Sequence, residues 1–414
     1  MDRLDVIIVG ATGFTGKHAV KNLVKIIKNS SDLSHISWAI AGRSKEKLEN
    51  LLLELEDIGE TKANVIVIKC DVEKDDLRDV TRRAKVLINC TGPNTILSDP
   101  IVKACLETKT HYVDISAELY HMIHLYRNHH KVAVEANVVV VPACGFAAIP
   151  LETGLSLLEK KFNGTLDTVE GYFDIILPKR ANFPGKCVIH FGTWESLVHE
   201  LQNLREYQRL KAETFPHNMY PPEPAGLKRS FFHRERGKFW FPYPGPDRDV
   251  NEMSQRYLYE TKKKKPYHCK LYTATPMFFQ MLIIVPAMFL YYYLSYFKCF
   301  RKLLVKFPGF FTLGYVSHKG PTEEIAKETK FKLTLLGKGV GEDLKEKSLK
   351  VQVSGSDPGY ETTSIAVVIS ALTLLVENAK IPKGGVLGVG AAFRDTNIED
   401  RLMQNKGLKY EIFN

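Results

Sequence analysis

Val6-Ile7-Ile8-Val9 are four consecutive β-branched apolar residues, and such a run reads as a strand buried on both faces. Glycines follow at positions 10, 13 and 16. Beyond them Ala19-Val20, Leu23-Val24 and Ile26-Ile27 recur at helical spacing with lysines between. The alternation then repeats. Residues 34–42 predict a second strand and 45–57 a charged amphipathic helix. Asn64–Lys69 predicts a third strand, with a helix beginning near Lys74. Val86–Cys90 predicts a fourth strand, 99–109 a helix, His111–Asp114 a short fifth strand, and Val138–Val141 a sixth after another helix. Repeated strand-then-helix units predict an α/β fold, an N-terminal Rossmann-type doubly wound parallel sheet over residues 1–150.

The pattern changes after that. Thr168–Leu177 reads as a strand and Thr193–Lys211 as a long helix, while 215–249 is rich in Pro, Gly and aromatics and reads as an irregular loop or flap. Phe331–Leu336 and Leu349–Val353 predict two antiparallel strands, and Thr362–Glu377 a long apolar helix. This predicts a second, α+β domain over 151–375, of substrate or dimerisation type.

Within it, residues 271–297 carry no charge, and Thr275–Phe297 is long enough to span, since a spanning helix needs roughly 20 apolar residues. A span, a buried core helix and an interfacial insertion all compete. Lysines precede the run at 262–265, and Lys298, Arg301, Lys302 and Lys306 follow it, so the flanks give no orientation. Pro286 would bend a helix, and Tyr291, Tyr292, Tyr293 and Tyr296 suit a headgroup level. A segment inserted from one side fits best.

Composition adds little except in two respects. The formal net charge is +10, with lysines beside the apolar run, so membrane phosphates fit better than nucleic acid, for which no motif is present. Seven cysteines are scattered without a C-x-x-C pair, which predicts a reducing compartment and no structural zinc. The chain enters its first strand with no signal segment, so secretion is not expected.

The candidate chemistry begins at the glycine turn. In Gly10-Ala11-Thr12-Gly13-Phe14-Thr15-Gly16, glycines allow a tight turn and let backbone N–H groups approach a pyrophosphate at a helix N-terminus. The spacing is G-x-x-G-x-x-G. The second strand ends in Gly42-Arg43-Ser44, where an NAD site usually has an acid; an arginine suits a 2′-phosphate. The site therefore fits NADP better than NAD. Asp71, after the third strand, is either a cofactor contact or a helix cap, and the loop Cys90-Thr91-Gly92-Pro93 should lie near the cofactor. For proton transfer the candidates are His190, Asp114 and Tyr360; a structural reading, as a bonded histidine and a packed ring, is favoured for His190 and Tyr360, and Asp114 is equally a helix cap. No metal-ligand cluster and no Ser-His-Asp pattern is present.

The ordered set Gly10–Gly16, Ala41-Gly42-Arg43, Asn89–Pro93, Tyr112–Ser116, Pro142–Phe146, Gln255–Tyr259, Gly320-Pro321-Thr322 and Gly384–Val386 resembles the saccharopine dehydrogenase-like oxidoreductases of the animal membrane-associated branch, and is similar also to bacterial trans-acting enoyl reductases. The resemblance implies that residues 376–414 return to the first domain, with a closing strand at Leu408–Phe413. It implies a lipid-linked carbonyl or enoyl substrate, a lipid droplet or endoplasmic reticulum surface, and a second copy of the chain as a candidate partner. Departures weaken the catalytic implication: Ala147-Ala148 stand where relatives have Asp-Ser, and Phe191 where animal relatives have an acid. A nucleotide-binding interaction protein without turnover is the alternative; saccharopine formation fits least.

Overall fold

A computed structural model describes residues 3–56, 65–235, 237–274 and 278–413. The chain forms two compact units: residues 1–149 with 359–407, and 150–358 with 408–414.

The first unit holds a seven-stranded, wholly parallel sheet in the order β15-β6-β5-β4-β1-β2-β3. Its strands are β1 (Leu4–Val9), β2 (Trp38–Gly42), β3 (Ile66–Lys69), β4 (Ala84–Asn89), β5 (His111–Asp114), β6 (Val139–Val141) and β15 (Gly385–Val386). Helices α1 (Phe14–Asn29), α2 (Lys45–Glu56), α4 (Asn94–Thr108) and α5 (Leu119–Ala136) connect them. Val6, Ile7 and Ile8 are fully buried, which is why β1 reads as an unbroken apolar run. The helix predicted near Lys74 is a turn closed by Asp71 carbonyl bonds to Lys74 and Asp75, followed only by the short α3 (Arg78–Thr81).

The return is longer than predicted at its start and shorter at its end. It begins at Gly359 rather than 376, carrying α13 (Thr363–Val376), α14 (Val389–Phe393) and α15 (Ile398–Gln404). Among the described residues, Pro358–Val376 is long and apolar enough to cross a membrane, yet 78% of its apolar window is buried inside the protein. It is a core helix. The α1 residue Asn22 donates to Ser364 at 2.8 Å, and the hydroxyls of Ser370 and Thr373 bond back into their own helix.

The second unit holds a mixed sheet in the order β16-β14-β13-β7-β11-β10-β9. Its strands are β7 (Gly164–Ile176), β9 (His233–Glu235), β10 (Lys238–Pro242), β11 (His268–Ala274), β13 (Lys330–Gly341), β14 (Glu346–Ser356) and β16 (Lys409–Phe413). The predicted flap thus contains a hairpin, β9–β10, that extends the sheet. Residues from Leu408 belong here, because β16 pairs with β14 rather than with the first sheet. Helix α6 (Ile149–Phe162) lies close on this sheet: a Cβ at Gly154 would sit 2.7 Å from Val353 and 2.8 Å from Leu335. Helix α8 (Asp247–Lys262) precedes β11.

The uncharged run divides. Residues 271–274 are part of β11, with 271–273 paired to β7 and Ala274 to Trp240 of β10, so the segment does not begin at 271. Helix α9 covers Phe278–Ser295, followed by α10 (Lys298–Lys306) and α11 (Pro308–Phe311). These pack with α7 (Phe191–Thr214), alongside a two-stranded ladder of β8 (Ile189–His190) and β12 (Val316–Ser317); α12 (Glu323–Glu328) then leads into β13.

Candidate nucleotide site and its surroundings

Order 3-2-1-4-5-6 places the switch point of the first sheet between β1 and β4, and ligands bind at the carboxyl ends of strands there. The glycine turn leaves β1 at that edge. Gly10 has φ +77, and a Cβ on it would lie 2.8 Å from the Cys90 carbonyl carbon. A Cβ on Gly16 would lie 2.1 Å from the Gly10 carbonyl oxygen. Glycine at 10 thus permits the turn, and glycine at 16 lets α1 start hard against the strand.

The N-terminus of α1 carries no side-chain cap and no acid in its first turn. Its first N–H groups and positive dipole end suit an anion. The neighbouring helix start is different. The Glu118 carboxylate accepts from the Asn94 and Thr95 backbone N–H groups at 2.9 and 2.8 Å, so the N-terminus of α4 is already filled. Glu118 was not legible as a functional residue; only the fold brings it to a helix 23 residues upstream.

Arg43 follows β2, exposed and in no ion pair among the described residues. Ser44 accepts from the Lys47 N–H at 3.3 Å and so caps α2, which sets the helix start beside the arginine. Thr12 comes within 3.7 Å of where a Cβ at Gly42 would stand, so the turn and the end of β2 are neighbours. Asp71 accepts from the Glu73 N–H at 3.2 Å and lies 3.7 Å from Lys74. It orders the loop after β3. That loop and α4 line a cavity of about 410 Å³, with Val72, Leu77, Ile96 and Pro100 as its apolar walls.

The loop after β4 is held from below. Buried Asn89 accepts from the Thr91 N–H and hydroxyl at 2.9 and 2.7 Å, and donates to Ser98 and Tyr112 at 2.9 Å each. This fixes Cys90, Thr91, Gly92 and Pro93. Burial pushes the Cys90 thiol up to about 12, with the Asp114 charge adding to it, so it stays protonated.

The three proton-transfer candidates have different fates. Asp114 is fully buried; Tyr112, the Ser116 N–H and the Ala143 N–H each donate to it at 2.9 Å, and His121 lies 3.0 Å away. It pins the loops after β5 and β6, and no oxygen faces solvent. Tyr360 is buried in the first unit, its ring edge-on to Phe14 at 4.6 Å. Beside it His18 lies 3.8 Å from Glu361, whose carboxyl is held below its usual value chiefly by His18, with the Asn22 amide donating to it at 3.2 Å. His190 lies in the second unit, where its Nδ1 accepts from the Gly192 N–H at 3.0 Å and caps α7. Burial lowers its pKa, and Nδ1, as the acceptor of that bond, carries no proton. Phe191 stacks on His318 at 4.0 Å, and Ala148 is fully buried.

A parallel sheet at whose switch point an uncapped helix meets a glycine turn, beside an arginine in no ion pair among the described residues, defines a dinucleotide-binding oxidoreductase domain. The profile of the saccharopine dehydrogenase NADP binding domain matches residues 6–141, and NADP is the cofactor this domain takes. Over 426 residues the chain is 32% identical to the human saccharopine dehydrogenase-like oxidoreductase, covering 98% of this chain and 96% of that one. It is 30% identical over 431 residues to the lipid droplet localized protein of Caenorhabditis elegans, covering 100% and 99%. Apo saccharopine dehydrogenase (L-Glu forming) from Saccharomyces cerevisiae shares the fold, with a TM-score of 0.55 at 15% identity over 99% and 100% of the two chains. The chain belongs to the saccharopine dehydrogenase-like oxidoreductase family.

Proposed function

We propose that this protein is an NADP-dependent oxidoreductase acting on a lipid-linked carbonyl or enoyl group at a lipid droplet or endoplasmic reticulum surface. The observation that carries the cofactor half is the uncapped α1 with Arg43 beside it, exposed and in no ion pair among the described residues. Gly10, Thr12, Gly13, Phe14, Thr15 and Gly16 would hold the pyrophosphate, Arg43 and Ser44 the 2′-phosphate, and Cys90–Pro93 the nicotinamide side. The cavity beside Asp71, walled by Val72 and Ile96, suits the adenine. Bound NADPH supplies a hydride. The lipid half is supported by the resemblance, by the name of the nematode relative, and by the apolar α9.

Asp114 and His190 act in this reading as positioning groups: Asp114 holds the Ser116 and Ala143 N–H groups on one oxygen and Tyr112 and His121 on the other, and His190 Nδ1 caps α7. Tyr360, packed on Phe14, is the candidate that stands beside the cofactor turn.

The same observations favour a second reading, a protein that binds NADP without turnover, because two of three proton-transfer candidates are structural. Titration with NADPH and NADH, alongside Arg43→Glu, tests the site. Losing two charge-assisted bonds costs roughly 2–4 kcal/mol, so NADPH affinity should fall about 30- to 1,000-fold while NADH binding hardly moves. Consumption of NADPH with membrane lipid extracts separates the oxidoreductase from the silent binder. Equal binding of both nucleotides by wild type and variant would remove Arg43 from the site.

A further inference from the structure

We infer that α9, α10 and α11 form a cationic, aromatic platform that docks flat onto an anionic phospholipid surface without spanning it. The inference rests on the lipid-surface half of the proposed function and specifies its partner and mode.

Charge is the first ground. Between Glu260 and Glu323 the chain contains no Asp or Glu, but ten Lys and Arg. Those ten equal the whole formal excess of +10; the rest of the chain has 47 basic residues against 47 acidic ones. Lys264, Lys265 and Lys270 are paired with carboxylates of the second unit. Lys298, Lys302 and Lys306 are not: they are exposed, spaced by four along α10, and in no ion pair among the described residues. That spacing sets them in one stripe. Arg301 is turned the other way, donating to the Ser295 carbonyl at 2.6 Å.

Apolar exposure on the same elements is the second. Phe289 and Leu290 on α9, Phe297 and Phe307 at either end of α10, and Phe310 and Leu313 around α11 all stand in solvent, Phe310 at 79%. Large apolar side chains exposed on elements that also carry a stripe of exposed lysines are the combination an acyl–headgroup boundary takes. A globular protein partner would have to carry a carboxylate cluster around an apolar one; an anionic lipid surface supplies both without further assumption.

Anchoring decides between lying on and crossing. On α9, Tyr291 meets Trp194 of α7 edge-on at 5.7 Å and donates its hydroxyl to the Phe311 carbonyl; next to it, Tyr296 lies under the Arg205 guanidinium at 4.5 Å. Trp194 also donates to the Leu304 carbonyl of α10 at 3.0 Å. Helix α7 carries the Arg209 ion pairs with Glu206 and Glu213, so it is a water-facing helix. Upstream, β11 is a central strand of the second sheet. Both ends of the segment are thus tied to one body, and a spanning placement would drag α7 into the hydrocarbon.

The test is flotation of the full chain with vesicles of phosphatidylcholine alone and of phosphatidylcholine with phosphatidylserine. Wild type should bind the serine-containing vesicles far better, and salt should weaken that binding. Each lysine near the surface contributes about 1 kcal/mol, so Lys298→Gln with Lys302→Gln should lower the partition about 30-fold. Phe310→Ser with Leu313→Ser should lower binding to both vesicles, and low salt should not restore it. NADPH affinity, read on the same preparations, should stay unchanged in both variants, which shows folding and keeps this test apart from that of the cofactor site. Undiminished binding of the lysine variant would overturn the inference, as would wild-type protein that resists alkaline extraction. So would loss of a dimer, rather than of vesicle binding, in the Phe310 variant.

Discussion

Single residues at the nucleotide site are constrained by clearance before chemistry. Gly16 has a backbone oxygen 2.1 Å from where a Cβ would stand, and backbone cannot swing aside as a flexible side chain does. Gly16→Ala should cost roughly 1–3 kcal/mol, lower the Tm by roughly 2–12 °C, and weaken NADPH binding in calorimetry, because α1 must move off the turn. The glycine spacing was readable along the chain, and so was Arg43 at the end of β2, since both are local signals. The fates of Asp114 and His190 were not. Each sits at a strand end where a ligand contact is expected, yet their partners come from the turn after β6 and from a neighbouring backbone N–H.

Elements are set by how their ends are finished. Helix α4 is capped by Glu118 from the loop before α5, a charge-assisted pair of bonds in a buried place. Glu118→Ala should destabilise the first unit by about 2–3 kcal/mol in urea unfolding, with the loop at Thr91–Pro93 loosened as a result. Helix α8 starts differently. Asp247 in its first turn is fully buried, and burial, with Glu152 nearby, raises its pKa well above the ordinary carboxylate value. The native state then keeps a proton that the unfolded chain releases, so stability falls as pH rises from the ordinary carboxylate pKa toward the raised one. Asp247→Asn, neutral throughout, should flatten that slope; denaturation midpoints at about pH 5 and about pH 8 should differ less in the variant than in the wild type. Two apolar helices show the same dependence on surroundings. Both α9 and α13 looked long and apolar, but α13 carries buried hydroxyls bonded within its own unit and belongs to the core.

At the scale of the whole molecule, the chain leaves the first unit at Ile149, returns at Gly359 and leaves again at Leu408. The last strand completes the second sheet, pairing Ser354 with Lys409 through Lys350 with Phe413. Removing residues after Gly407 should therefore lower the stability of the second unit while leaving NADPH affinity nearly as it was; a scan for two melting transitions with and without NADPH would read both. Ligand present at about 100 times its Kd stabilises the binding unit by about 2.7 kcal/mol, so only the transition of the first unit should rise.

The sequence by itself determined the strand–helix alternation of residues 4–141, the glycine turn, the arginine after β2 and the family, because each is carried by residues adjacent in the chain. Tertiary structure decided the rest: which apolar helix is core, which sheet the C-terminal strand joins, which helix N-terminus stays open, and which carboxylates are spent on backbone. Those outcomes depend on partners that are far away in sequence, as with Glu118 and α4, or Asp114 and Ala143. A buried polar group is defined by what meets it, and local pattern carries no record of that meeting.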